Sequence, residues 1–342
     1  MILPTLPAAR ARQLIAQFAD HTVLVAGDVM LDRFIVGDVT RISPEAPVPV
    51  VRFASEHVRL GGAANVAHNV RALGGGTVLV GVVGRDAAAA RLREALATAG
   101  IPDLGLVEEA TRPTTEKVRI VTRRSQQVAR IDYELDEEID GVCEAAVIAG
   151  LRDHGRQAGA LVVSDYLKGA VTRPIVEVLL ALRNERRGSG AAVPPVIVDP
   201  KIPHLACYRG ASLITPNHHE AEAATHRRIR TDEDARDAAR DLRERAGCEA
   251  ALITRGEQGL WVSSREVEGA APATAREVAD VAGAGDTVVA TLALALAAGA
   301  TLAEAAALAN IAAGVVVGKF GPSTVSGLEL LGALSQTEEL RS

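Results

Sequence analysis

From residue 160 onward, short unbroken apolar runs alternate with longer stretches in which apolar positions recur every three or four residues. The first pattern predicts strands covered on both faces, and the second predicts helices packed along one stripe. Strands are expected over 160–164, 196–199, 212–215, 250–254 and 260–263. Helices are expected over 173–187, 219–225, 232–246, 287–298 and 302–319. The first hundred residues repeat the rhythm, with a helix at 11–20, a strand at 22–26, a helix from Gly61 to Leu73, a strand at 77–83 and a helix at 87–99. Strands alternating with helices predict the α/β class, a doubly wound and mostly parallel sheet flanked by helices. One domain over 1–342 is expected.

Two stretches break the rhythm. Residues 33–60 alternate without a helical period and carry prolines on either side of Val48, so two strands are expected near 34–39 and 48–58, joined by the loop RISPEAP at 41–47. Residues 115–122 and 127–133 form a second pair around the turn Arg123-Arg124-Ser125-Gln126. Both pairs are expected to leave the main sheet as a small projecting β lid. Its apolar residues Phe34, Val36, Val48, Val50, Phe53, Val118, Ile120 and Ile131 are too many to leave in water. A patch of that kind marks an interface, and two-fold pairing into a homodimer is the commonest cover. Residues 187–195 read as a surface loop.

Composition narrows the class. Hydrophobic residues make up 48% and charged residues 23%, the balance of a soluble globular protein. A net charge of −6 argues against nucleic acid as a partner. Cys143, Cys207 and Cys248 are widely spaced and odd in number, so they indicate neither a disulfide framework nor a zinc site. The first residues lack the order of a signal peptide. The apolar run from Thr287 to Ala300 is shorter than the ~20 residues that span a bilayer. No membrane partner and a cytoplasmic location are expected.

The candidate chemistry centres on Asp280-Val281-Ala282-Gly283-Ala284-Gly285-Asp286. Small residues sit there at the start of a helix, whose first amides point outward at the positive end of the dipole. Gly283 and Gly285 can take positive φ and let a ligand approach closely. Such a start suits a phosphate. Asp286 beside it makes sense as the base for a hydroxyl that attacks that phosphate; the alternative is a tight turn with Asp286 as N-cap.

Other candidates fall at strand ends, where open α/β sheets bind ligands. Asp28 and Asp32 follow the first strand, and Gly61-Gly62-Ala63-Ala64-Asn65 opens a helix with room for a ligand and an amide to bind it. Ser164-Asp165, Asp199-Pro200-Lys201 and Thr215-Pro216-Asn217 should share one rim. Asn217 and Glu220 are spaced to hold hydrated magnesium, or to form a capping box. Thr254-Arg255-Gly256-Glu257 closes a strand with a turn that fits under a nucleotide phosphate. Lys117 and Arg119, two apart on a strand, share a face.

Taken together, GGAAN at 61–65, NHHE at 217–220, TRGEQG at 254–259, DVAGAGD at 280–286 and NIAAGVVVGKFG at 310–321 resemble the ribokinase-like (PfkB) sugar kinases over nearly the whole chain. Within that family, residues 27–51, SDYLKG at 164–169 and VVVGKFGPSTVS at 315–326 look like the heptose 7-phosphate kinase branch, in its single-function form without an adenylyltransferase domain. The resemblance implies ATP and Mg²⁺, with K⁺ as an accessory ion. It makes Asp286 the base and the amides of Ala282, Gly283, Ala284 and Gly285 the anion hole. Asn217 and Glu220 would organise magnesium through water. Thr254 and Gly256 would touch nucleotide phosphates, and Asn310 and Lys319 would lie near adenosine. Asp28, Asp32, Gly61, Gly62 and Asn65 would bind the sugar, with Arg41 and Glu45 reaching in from the lid. Lys117, Arg119, Arg130 and Lys168 are the candidates for its distal phosphate. The implied product, a heptose 1,7-bisphosphate, serves lipopolysaccharide-core precursor synthesis. The motif departs from the family at Asp280-Val281, in place of aspartate-threonine, and at Gly321-Pro322.

Three rivals remain in view. A kinase for another sugar phosphate, such as fructose 6-phosphate, would share the ATP half. A nicotinamide dehydrogenase needs GxGxxG after an early strand, and AGDVMLD lacks it. A sugar-binding regulator has no need of Asp286.

Overall fold

In the structure, a computed structural model, residues 1–124, 126–188, 192–275, 278–319 and 323–339 are described. Ser125 of the expected turn, part of the 187–195 loop and Gly321-Pro322 lie outside these residues. In chain order the elements begin with α1 (Ala8–Gln17), β1 (Thr22–Gly27), β2 (Val29–Ile42), β3 (Pro49–Gly62) and α2 (Ala63–Ala72). β4 (Gly76–Val83), α3 (Ala87–Thr98), β5 (Gly105–Glu108), β6 (Thr115–Thr122), β7 (Gln127–Tyr133) and α4 (Gly141–Gly155) follow. Next come β8 (Ala160–Ser164), α5 (Arg173–Gly188), β9 (Val196–Asp199), β10 (Leu213–Ile214), α6 (His218–Thr225) and α7 (Asp232–Ala246). The chain closes with β11 (Ala250–Thr254), β12 (Leu260–Ser263), β13 (Glu268–Ala271), α8 (Ala284–Ala297), α9 (Leu302–Val317) and α10 (Gly327–Glu339).

Nine strands form the main sheet in the order β13-β12-β11-β10-β9-β8-β1-β4-β5. Pairing is parallel except along β11-β12-β13. The unbroken run in β1 follows from burial on two sides. Val23 and Val25 join the core under α1, α2, α8 and α9, while Leu24 and Ala26 join the core under α4, α5 and α7. The sheet order reverses around β1 and β8, so the carboxyl ends of β1, β8, β9 and β10 open on one rim.

The chain has elements the periodicity did not reveal, namely β5, α4, β13 and α10. α4 buries only Cys143, Val147, Leu151 and Gly155 in a sequence rich in Ala and Gly, which blurs its stripe. α8 begins at Ala284, three residues before the expected start, so Asp286 lies inside its first turn. Among the described residues, no helix is long and apolar enough to cross a membrane.

The interrupting segments make one four-stranded sheet, β3-β2-β6-β7, with β2 and β6 parallel. β2 and β3 are longer than expected because each has one end in the core and the other in solvent. Val29, Met30, Leu31 and Leu60 are buried, whereas Arg41 and Glu45 at the far tip are exposed. The expected apolar patch divides between environments. Val118 is buried, and Phe34 stacks on His57 with Arg119 and Arg59 over its ring. Val48, Phe53 and Ile131 are exposed, together with Val39, Ile42 and Tyr133.

Candidate active site

Gly283 is the N-cap of α8, with φ 79° in the left-handed region that a side chain resists. Gly285 is helical and has no positive φ, so only one of the two expected glycines is needed for backbone freedom. Asp286 is therefore not an N-cap; it is the third residue of the helix. The amides of Gly285 and Asp286 have no carbonyl one turn back and are the natural donors of this end. The amide of Ala282 is already bonded to Asp280 Oδ1 at 2.9 Å.

The Asp286 carboxylate is buried and held at both oxygens. Asn65 Nδ2 donates to Oδ2 at 2.6 Å, and the Tyr166 hydroxyl donates to Oδ1 at 2.9 Å. Burial pushes its pKa up to about 6, against the two hydrogen bonds that favour the anion. Asn65 comes from the first turn of α2, which is locked to α8 by Thr287 Oγ1 donating to Asn69 Oδ1 at 2.8 Å. Gly62 caps α2 at φ 54°, where an added Cβ would lie 2.4 Å from the Asp28 carbonyl oxygen. The GGAAN and GAGD stretches thus meet at one carboxylate.

Tyr166 and Lys201 belong to this site, and neither stood among the individual candidates. Burial and the charge of Asp286 raise the tyrosine well above its usual pKa, so it remains a proton donor. Lys201 Nζ lies 5.3 Å from the centre of its ring and is ion-paired with Glu220. Burial works against the lysine's charge, but the hydrogen bond to Glu220 and the charges of Glu220, Asp199 and Asp165 together outweigh it and the pKa rises. Their positions at the ends of β8 and β9 were the available signal, since both strands feed the ligand rim.

Asp28 is used differently from the other acids. Its Oδ2 accepts from the amides of Tyr166 and Lys168 at 2.6 and 3.1 Å, and its Oδ1 from Ala170 at 2.9 Å. It is 2% exposed, and it shapes the loop after β8 instead of presenting a free carboxylate. Burial raises its pKa despite those bonds. Asp32 is ion-paired with Arg119, and the Cβ position of Gly61 would lie 2.9 Å from Asp32 Oδ2.

The remaining expected cations are already paired. Lys117 Nζ is 2.7 Å from Glu134 and 3.5 Å from Asp132. Arg130 is 2.9 Å from Asp132, and Lys168 Nζ is 2.9 Å from Glu134 and 2.7 Å from Asp136.

On the other side, Asn217 and Glu220 form a reciprocal capping box at the start of α6, with both bonds at 3.0 Å. Asn217 also bridges to Thr254, which brings the end of β11 and Gly256 beside it. Asn310 is buried and donates to the Pro272 carbonyl at 2.7 Å. Lys319 Nζ bonds the Thr324 carbonyl and Glu329, each at 2.7 Å.

This arrangement places a buried carboxylate in the first turn of α8, held by side chains from α2 and from the loop after β8. The profile of "pfkB family carbohydrate kinase" matches residues 20–328. The chain belongs to the PfkB family of carbohydrate kinases. Relatives include proteins called "Bifunctional protein HldE" in Caulobacter vibrioides, 49% identical over 324 residues, and in Geobacter sulfurreducens, 44% identical over 322 residues. Each alignment covers 94% of this chain and 65% or 64% of the relative, so the chain spans less than two thirds of their length. The fold matches Escherichia coli phosphofructokinase-2, solved with potassium, at TM-score 0.74 and 20% identity, covering 93% of this chain and 99% of that one. It also matches Arabidopsis thaliana ribokinase, solved with ribose and ATP, at TM-score 0.71 and 20% identity, covering 92% and 98%. These two likenesses establish a ribokinase-like fold.

A PfkB kinase implies ATP and a divalent metal. Among the described residues no three acidic or histidine side chains converge as a closed metal site. The oxygens of Asn217, Glu220 and Asp199 belong to one rim instead, which suits a hard cation that keeps most of its waters. Asp199 is raised well above the usual carboxylate range by burial and by the charges of Asp286 and Glu220, so added positive charge would be favoured there.

Proposed function

We propose that the chain transfers the γ-phosphoryl of ATP to the anomeric hydroxyl of D-glycero-D-manno-heptose 7-phosphate, giving the 1,7-bisphosphate used for lipopolysaccharide-core precursors. The observation that carries this reading is Asp286, a buried carboxylate with a pKa of about 6 at the start of α8. Near pH 7 it is mostly ionised and able to accept a proton. The sugar hydroxyl takes the place of one of its two present donors, Asn65 or Tyr166, and gives up its proton as it attacks. Phosphoryl transfer of this kind is mainly positioning and charge stabilisation. The first amides of α8 receive the charge on the transferred group.

Asn65, Asp32, Gly61 and Gly62 hold the sugar, while Asp28 keeps the 166–170 loop in place. Lys117, Arg119, Arg130 and Lys168 meet the distal phosphate. Asn217 and Glu220 hold Mg²⁺ through water, and the ion supplies charge neutralisation to the triphosphate; K⁺ belongs to the same reading as an accessory ion. Thr254 and Gly256 touch the nucleotide phosphates, with Asn310 and Lys319 on the adenosine side. The four-stranded sheet acts as a lid over the sugar, with Arg41 and Glu45 at its tip, and as the seam of a homodimer. Support for the heptose comes from residues 27–51 and 164–169, which resemble heptose 7-phosphate kinases, and from the relatives named HldE.

The test is a panel of sugar phosphates offered with ATP, with products identified by phosphorus NMR. A new anomeric phosphate on heptose 7-phosphate alone is the expected result. Preferential turnover of fructose 6-phosphate or of an unphosphorylated sugar would assign the chain to another branch of the family.

A further inference from the structure

Glu134, one residue beyond β7, touches two lysines that come from different parts of the fold. Lys117 is on β6 of the small sheet, and Lys168 is in the loop after β8 of the main sheet. The two contacts are 2.7 and 2.9 Å, and the glutamate side chain is 24% exposed. Burial raises the carboxyl's pKa, but the hydrogen bonds from Lys117 and Lys168 and their charges together leave it lowered.

The surrounding frame is built. The Arg112 guanidinium donates to the carbonyls of Leu135 and Lys168 at 2.9 and 2.6 Å, which joins the backbone beyond Glu134 to the loop that carries Lys168. That loop is fixed by the three amide bonds to Asp28. Two residues before Lys168, the Tyr166 hydroxyl bonds the base Asp286. One short loop therefore connects Asp286 with the lysine pair.

Lys117, Arg130 and Lys168 each already face a carboxylate among Asp132, Glu134 and Asp136. An arriving phosphate would find both lysines occupied unless a carboxylate leaves. Asp132 also serves Arg130, and Asp136 touches only Lys168 among these cations. Glu134 is the carboxylate shared by both lysines, as a phosphate would be shared.

We propose that Glu134 is an internal stand-in for the substrate's phosphate, holding Lys117 and Lys168 together until the phosphate of the sugar displaces it. This rests on the sugar-phosphate reading above. The exchange makes the site selective. A phosphate gains both lysines and links the small sheet to the body as Glu134 did. A sugar without a phosphate displaces nothing and gains nothing from them. Displacement also means that Glu134 competes with the substrate, so its charge lowers affinity for the phosphorylated sugar.

The test is calorimetric binding of heptose 7-phosphate and of free heptose, without nucleotide, to the full chain and to Glu134→Gln. The ratio of the two affinities should rise about tenfold in favour of the phosphorylated sugar in the variant. Glu134→Asp, which keeps the charge but shortens its reach, should fall between. An unchanged ratio, or a weaker grip on heptose 7-phosphate in both variants, would make Glu134 a structural clasp and overturn the proposal while leaving the function intact. A wild-type protein that binds free heptose as tightly as its 7-phosphate would remove the sugar-phosphate reading itself.

Discussion

Asp286 is an acid kept where an acid is costly. Its pKa of about 6, against an ordinary 3.8, comes from burial opposed by two hydrogen bonds. Asp286→Asn keeps the shape but removes the proton acceptor, so kcat should fall by ~10²–10⁴-fold with ATP binding retained; turnover within a few-fold of wild type would exclude the role. Activity should fall along an acid limb near pH 6, because the base must be ionised. Tyr166→Phe removes a bond that lowers this pKa, so the limb should move to higher pH while KM for ATP stays the same; a pH–rate profile reads it directly. The linkage to stability runs the other way. A carboxyl whose folded pKa is raised binds its proton more readily when folded, so the fold gains stability as pH falls through 6 toward 3.8. From those two values the gain is on the order of 3 kcal/mol. Denaturant unfolding should show wild type gaining on Asp286→Asn between pH 7 and 5.

At the scale of elements, the site exists because two helix starts meet. α2 and α8 both open on glycine caps with positive φ, and the Thr287–Asn69 bond fixes their register. β6 contributes Lys117 and Arg119, and its partners show why they lie together. Asp32 on β2 is the register partner of Lys117 and the ion-pair partner of Arg119, so all three share one face. Charge reversal at Lys117 or Arg119 should therefore raise KM for heptose 7-phosphate about tenfold or more and leave KM for ATP nearly unchanged, since a charge-assisted contact is replaced by repulsion. Steady-state kinetics with each substrate varied separately checks it; if both constants stay at wild-type values in both variants, that face has no part in binding.

For the whole molecule, the question is what covers the apolar residues of the small sheet. Val48, Phe53 and Ile42 are 52%, 63% and 61% exposed toward its tip, and Ile131 and Tyr133 on β7 are 45% and 50% exposed. Apolar area of that kind favours association, and a second copy pairing along the sheet would also close the sugar site against water. Light scattering at micromolar protein should give a dimer, and Phe53→Glu should shift it toward monomer. A fully active monomer, or contacts made through α9 and α10 instead, would refute the assignment.

The sequence by itself determined the main sheet apart from its edge strands β5 and β13, because buried strands must be apolar on both faces and leave unbroken runs such as 22–26 and 160–164. It also marked the start of a helix near Gly283, while leaving open whether Asp286 was its N-cap. It did not reveal α4, whose stripe is diluted by Ala and Gly, or the first turn of α8, which lacks large apolar residues. Only the tertiary structure decided the partners. Asn65 and Tyr166 are 221 and 120 residues from Asp286 in sequence, yet both bond its carboxylate. Only the structure showed that Asp28 spends its oxygens on backbone amides and that the expected cations are already neutralised. Local patterning reports burial and backbone freedom, which are properties of short stretches. Hydrogen bonds and ion pairs between distant residues depend on how those stretches are brought together, so no single stretch records them.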